Sequence, residues 1–103
     1  MTNVLILGGT GWLSGRIARR WLESGAAVTC LARGERLAPA GAVLVTGDRD
    51  DPGIYAALAR KDWDHVVDIS SQAAHVVAAV EALGDRTARW TYVSSLSVYA
   101  DDA

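Results

Sequence analysis

The chain has no phenylalanine, one lysine (Lys61), two prolines, two histidines and a single cysteine. One cysteine, Cys30, excludes an internal disulfide and fits a reducing compartment. It lies within an apolar run, which reads as a small core residue rather than a reactive thiol. His65 and His75 have no neighbouring cysteines or carboxylates at metal-ligand spacing, so they read as surface or boundary residues and no metal is expected. Neither charge dominates: 10 basic residues against 12 acidic give a net charge of -2. That balance offers no electrostatic reason to bind nucleic acid or anionic lipid. No apolar run approaches the roughly 18 residues of a membrane span. The first strand signal begins at residue 3, which leaves no room for a signal peptide before it. A cytoplasmic protein is expected. What the chain does have is 103 residues, half of them hydrophobic and a fifth charged, as befits one soluble globular domain.

Strand and helix signals alternate along it. Residues 3–7 form an apolar strand that runs into Gly8-Gly9-Thr10-Gly11, and a helix is predicted over 12–24 with Leu13, Ile17, Trp21 and Leu22 inward. Gly25 is a helix stop. Further strands are expected at 26–31 and 42–46, with loop over 33–41. Asp51-Pro52 has the pattern of an N-cap followed by proline at the first helical position. Ile54, Ala57 and Leu58 give that helix its expected inner face. A fourth strand is predicted over 65–69, and a helix over 73–83 with Val76, Val77, Val80 and Leu83 inward and Gly84 as its stop. A fifth strand spans 90–94.

Short strands separated mostly by helices imply crossovers and a parallel sheet with helices on both faces. Ligands of such sheets bind beyond the carboxyl ends of the strands, where the strand order reverses. The distinctive polar residues fall on that rim: the glycine turn after strand one, Arg33 after strand two, and Asp48 and Arg49 after strand three. Ser70, Ser71 and Gln72 follow strand four, and Ser94 and Ser95 end strand five. The glycine turn lets the backbone bend sharply and come close to a ligand, and the helix N-terminus behind it suits a pyrophosphate. The plain alternative is a tight turn with no ligand.

Gly8-Gly9-Thr10-Gly11-Trp12-Leu13, Gly47-Asp48-Arg49, Val66-Val67-Asp68 and Val93-Ser94-Ser95-Leu96-Ser97-Val98-Tyr99 together resemble the N-terminal part of the extended short-chain dehydrogenase/reductase family, the NAD-dependent epimerase/dehydratase group. The resemblance covers essentially the whole chain in the right order. It implies a Rossmann-type, doubly wound, three-layer α/β/α fold, here without its later strands and substrate-binding part. It further implies that Gly8, Thr10, Gly11, Trp12 and Leu13 meet the pyrophosphate, Asp48 with Arg49 the adenine, and Ser70 the nicotinamide ribose. Ser95 matches the family's catalytic Ser/Thr. Asp68 reads as a structural carboxylate at the end of its strand, and Trp12, Trp21, Trp63 and Trp90 as packing residues.

Two departures stand out. The third motif glycine falls at Ser14, with glycine displaced to Gly15, which predicts slight widening between helix and strand. The family's Tyr-x-x-x-Lys pair, whose lysine lowers the tyrosine pKa for proton transfer, does not occur in the chain. Cofactor choice follows from charge. After the second strand the chain reads Leu31-Ala32-Arg33-Gly34, with no carboxylate until Glu35 to bind a ribose 2′-hydroxyl. A guanidinium at Arg33 suits a 2′-phosphate, which favours NADP(H) over NAD(H); the plain alternative is a solvated loop arginine. Three functions stay open. One is an oxidoreductase or epimerase/dehydratase acting on a small molecule, represented by its cofactor half. Another is a non-catalytic dinucleotide sensor, its RNA-binding version disfavoured by the acidic balance. The last is a fragment that pairs with a missing C-terminal part or a second copy through its exposed fifth strand.

Overall fold

The computed structural model describes residues 2–8, 12–32, 41–70 and 73–93, with backbone only at Trp12, Leu13, Pro52 and Ala73. Within them the elements run β1 (Asn3–Leu7), α1 (Trp12–Glu23), β2 (Ala27–Ala32), β3 (Val43–Thr46), α2 (Pro52–Leu58), β4 (Trp63–Ile69), α3 (Ala73–Leu83), a 3-10 turn (Gly84–Arg86) and β5 (Thr87–Val93). The strands form one sheet in the order β3-β2-β1-β4-β5, every pair parallel. The order reverses between β1 and β4. This is the doubly wound arrangement that the alternation predicts.

Pleating divides the core. Leu5, Leu7, Leu31 and Val66 face Tyr55 and Leu58 of α2 and Ala79 and Leu83 of α3. Val4, Ile6, Val28, Val67 and Ile69 point the other way, onto Ala18 of α1 with Ile17, Trp21 and Leu22 beside it. Successive residues of one strand therefore serve opposite layers, and strands buried on both faces read as near-continuous apolar runs. Cys30 packs at the edge of the α1-side cluster, and burial pushes its thiol above the ordinary value. That supports its reading as a small core residue.

The helix ends follow their local signals. Gly25 has φ +91°, the Gly25 N–H donates to Leu22 O and the Ala26 N–H to Trp21 O. Those two bonds and the left-handed glycine make a Schellman stop. At α2, Asp51 accepts from the Gly53 N–H at 2.9 Å and proline follows it. The two termini use opposite devices, as backbone chemistry requires.

The inward faces of α2 and α3 differ from expectation. Tyr55 rather than Ala57 is buried in α2, because its ring covers core while its hydroxyl reaches a polar partner at the rim. In α3, Val77 and Val80 are 55% and 45% exposed, and fully buried Ala79 and Leu83 take the inner face. That helix has only His75 and Glu81 among its polar residues, so periodicity could not choose a face. An alanine at 79 lets it approach the sheet closely, where a valine would hold it off. Two strands also begin earlier than predicted, since Trp63 already pairs with Thr87. Trp63 is buried, its Nε1 donating to Leu58 O. Gly84 leads into the 3-10 turn instead of ending the segment outright.

Candidate functional site

The site is the rim formed by the carboxyl ends of the strands. Gly8 follows β1 with φ +72°, a backbone state that side chains resist. Its N–H donates to Leu31 O. A Cβ at this position would sit 2.6 Å from Ile69 O of β4 and 3.5 Å from Arg49 Nη1. So glycine is demanded here by the approach of neighbouring backbone, a reason independent of any ligand. Helix α1 begins four residues on, and its first turn holds no acidic side chain to repel an anion. Gly15 is different: a Cβ there meets nothing within 4 Å. The displaced glycine therefore does not serve close helix–strand packing.

After β3 the loop is held by its own side chains. The Gly47 N–H donates to Ala32 O at 2.9 Å, and a Cβ on Gly47 would strike Ile54 at 2.5 Å. Asp48 Oδ1 accepts from the Asp50 N–H at 2.9 Å and Asp48 O from the Asp51 N–H at 3.0 Å. Arg49 turns inward. Its Nη1 and Nη2 donate to Asp68 Oδ1 and Oδ2 at 2.6 and 3.0 Å, Nη2 also donates to His75 O at 2.8 Å, and Nε donates to Tyr55 Oη at 3.0 Å. The Arg49 side chain is 8% exposed and that of Asp68 0%. Burial alone would lower the guanidinium pKa; the hydrogen bonds it donates to Asp68 and Tyr55, with the Asp68 charge, outweigh that and hold it above its ordinary value.

Of the two residues expected at the adenine, Asp48 is exposed at the rim, whereas the Arg49 guanidinium is engaged within the protein. Asp68 is the structural carboxylate its position suggested. Ser70 follows β4 with its N–H donating to Val93 O, while its carbonyl accepts from Tyr92 Oη at 3.0 Å. The fold thus places Gly8, Asp48 and Ser70 on one rim. Thr10, Gly11, Arg33 and Ser95 lie outside the described residues, as do Ser71, Gln72, Ser94, Tyr99 and the loop 33–40; α1 includes the backbone of Trp12 and Leu13.

Both histidines have partners. His75 Nε2 lies 2.6 Å from Asp50 Oδ1. His65 Nε2 lies 2.7 Å from Thr91 Oγ1 and its ring packs on Trp21. Burial and then the charge of Arg89 hold the His65 pKa below its ordinary value. The Arg49–Asp68–Tyr55 node escaped the sequence reading, though one signal was available. Asp68 has the parity of Val66, which faces the core, and a carboxylate placed there needs a buried cation.

The sequence pattern of the NAD dependent epimerase/dehydratase family matches residues 4–85. The chain belongs to that family. Members of the same fold agree with it. A protein assigned as an NAD-dependent epimerase/dehydratase from Methylobacillus flagellatus superposes with a TM-score of 0.78 at 26% identity, covering 96% of this chain and 39% of that one. Vestitone reductase from alfalfa (Medicago sativa) gives 0.66 at 20% identity, over 89% of this chain and 36% of that one. A UDP-glucose 4-epimerase gives 0.66 at 14% identity, over 82% and 32%. The last two share the fold alone. The chain therefore spans well under two thirds of these structures. No curated protein matches it in sequence. Among the described residues no helix is long and apolar enough to cross a membrane.

Proposed function

We propose that this chain is the NADP(H)-binding part of an oxidoreductase or epimerase/dehydratase. The observation that carries the reading is the rim at the order reversal. There Gly8 follows the central strand with a left-handed backbone, and α1 opens with no acidic residue in its first turn. A pyrophosphate suits such a place, since helix N–H groups and the dipole favour negative charge. Asp48 would take the adenine, Ser70 the nicotinamide ribose, and the backbone of Trp12 and Leu13 the phosphates. The cofactor, when bound, supplies hydride exchange at a substrate carbon bearing a hydroxyl or carbonyl. Ser95 would hydrogen-bond that oxygen and polarise it. A proton donor such as the family's tyrosine would come from outside these 103 residues, which hold no Tyr-x-x-x-Lys pair. The second reading is a module that binds the dinucleotide without turnover in a cytoplasmic setting.

Titration of the protein with NADPH and NADH tests the cofactor assignment. NADPH is expected to bind about tenfold tighter, the contribution of a charge-assisted arginine–phosphate contact. Arg33→Ala is expected to bring the two affinities together. Equal affinities in the unaltered protein, or tighter NADH binding, would reject NADP(H).

A further inference from the structure

We propose that Arg49 is a positioning residue for the adenine half of the dinucleotide, acting through Asp48 rather than touching the ligand. The inference rests on the dinucleotide reading above. In the sheet, β2 and β1 lie between β3, which Arg49 follows, and β4, which carries Asp68. Three interstrand steps of roughly 4.8 Å separate those strands, so the loop and its arginine together bridge about 14 Å across the rim. Along the way Nη1 passes beside Gly8, 3.5 Å from where a Cβ on that residue would stand.

The two ends of the loop are fixed by backbone and capping bonds, at Gly47 to Ala32 and at Asp51 to Gly53. Its middle is tied down by side chains. The Arg49 fork grips Asp68, its Nη2 also reaches the first turn of α3 at His75 O, and Asp50 meets His75 Nε2. One planar guanidinium thus joins this loop to β4, α2 and α3. Lysine, a point charge with no fork, cannot reproduce that geometry. The Asp68 carboxylate is fully buried and the Arg49 guanidinium is turned onto it, so the pair can hold Asp48, one residue away, at a fixed place on the rim.

A double-mutant cycle on the intact protein tests this, with adenosine 5′-monophosphate and nicotinamide mononucleotide as separate probes. Arg49→Lys is expected to weaken the adenine probe about tenfold, leave the nicotinamide probe unchanged, and add no further loss to Asp48→Asn, since coupled residues are non-additive. Tyr55→Phe removes one partner of Nε but keeps the Asp68 fork, so it serves if Arg49→Lys does not fold; a smaller loss confined to the adenine probe is expected. Equal loss with both probes, or an undiminished loss in the Asp48→Asn background, would show a general structural role and overturn the proposal. So would dinucleotide binding with adenine-probe affinity unmoved. Protein that binds no dinucleotide at all would overturn the underlying reading, and this proposal with it.

Discussion

Asp68→Ala is expected to cost about 3–5 kcal/mol of folding stability, read from urea denaturation. The aspartate is fully buried and its partner Arg49 nearly so. Removing the carboxylate leaves a guanidinium in the interior with only Tyr55 Oη and His75 O as acceptors among the described residues. An uncompensated buried charge is far costlier than the loss of one hydrogen bond. The matching control removes both charges. Arg49→Met combined with Asp68→Leu is expected to lose at most about 1 kcal/mol, because the desolvation of two ions disappears with their attraction. If the pair serves placement, as proposed above, the apolar double variant is expected to fold yet bind the adenine half poorly. A single Asp68→Ala loss under about 1 kcal/mol would mean that the site is wet, contrary to its burial.

Gly8→Ala carries the second large effect, about 3 kcal/mol. A non-glycine residue in the left-handed region costs roughly 1–2 kcal/mol, and crowding a packed interior adds roughly 1–3. Here the crowding partner is backbone, since the new Cβ would stand 2.6 Å from Ile69 O at the carboxyl end of β4. Gly25 separates the two terms. It has φ +91° but open space around it, so Gly25→Ala should cost only about 1 kcal/mol in the same assay. Equal losses at the two glycines would remove the Ile69 overlap from the account. The comparison matters for function, because it tells how much of the glycine motif at this position answers to the fold and how much to a ligand.

Local rules with a single physical reading were legible in the sequence. The limits of β1 and α3, the Asp51-Pro52 start of α2 and the Gly25 stop all match, since caps and strand alternation depend on neighbouring residues only. Faces were less legible. In α3 nearly every side chain is apolar, and what decides the inner face is how closely the helix can approach the sheet, a property of Ala79 and the strands beneath it. Tyr55 was missed because its burial depends on a hydroxyl partner, Arg49, which is itself placed by Asp68 on a distant strand. The inward turn of the Arg49 side chain belongs to the same node and was not foreseen either. Nothing local to Gly47-Asp48-Arg49 says which of its side chains turns inward; the answer lies 19 residues on. By contrast, the convergence of Gly8, Asp48 and Ser70 followed from topology, because a parallel sheet puts every strand's carboxyl end on one edge.

Amide chemical-shift mapping with NADPH on the 15N-labelled protein tests the central claim most directly. The account predicts saturable shifts at Gly8, at the Trp12 and Leu13 amides, at Asp48 and at Ser70, all on the carboxyl rim of the sheet. Shifts confined to the groove between α2 and α3, at Ala56, Ala59, Ala78 and Ala82, or no shifts at all, would contradict it.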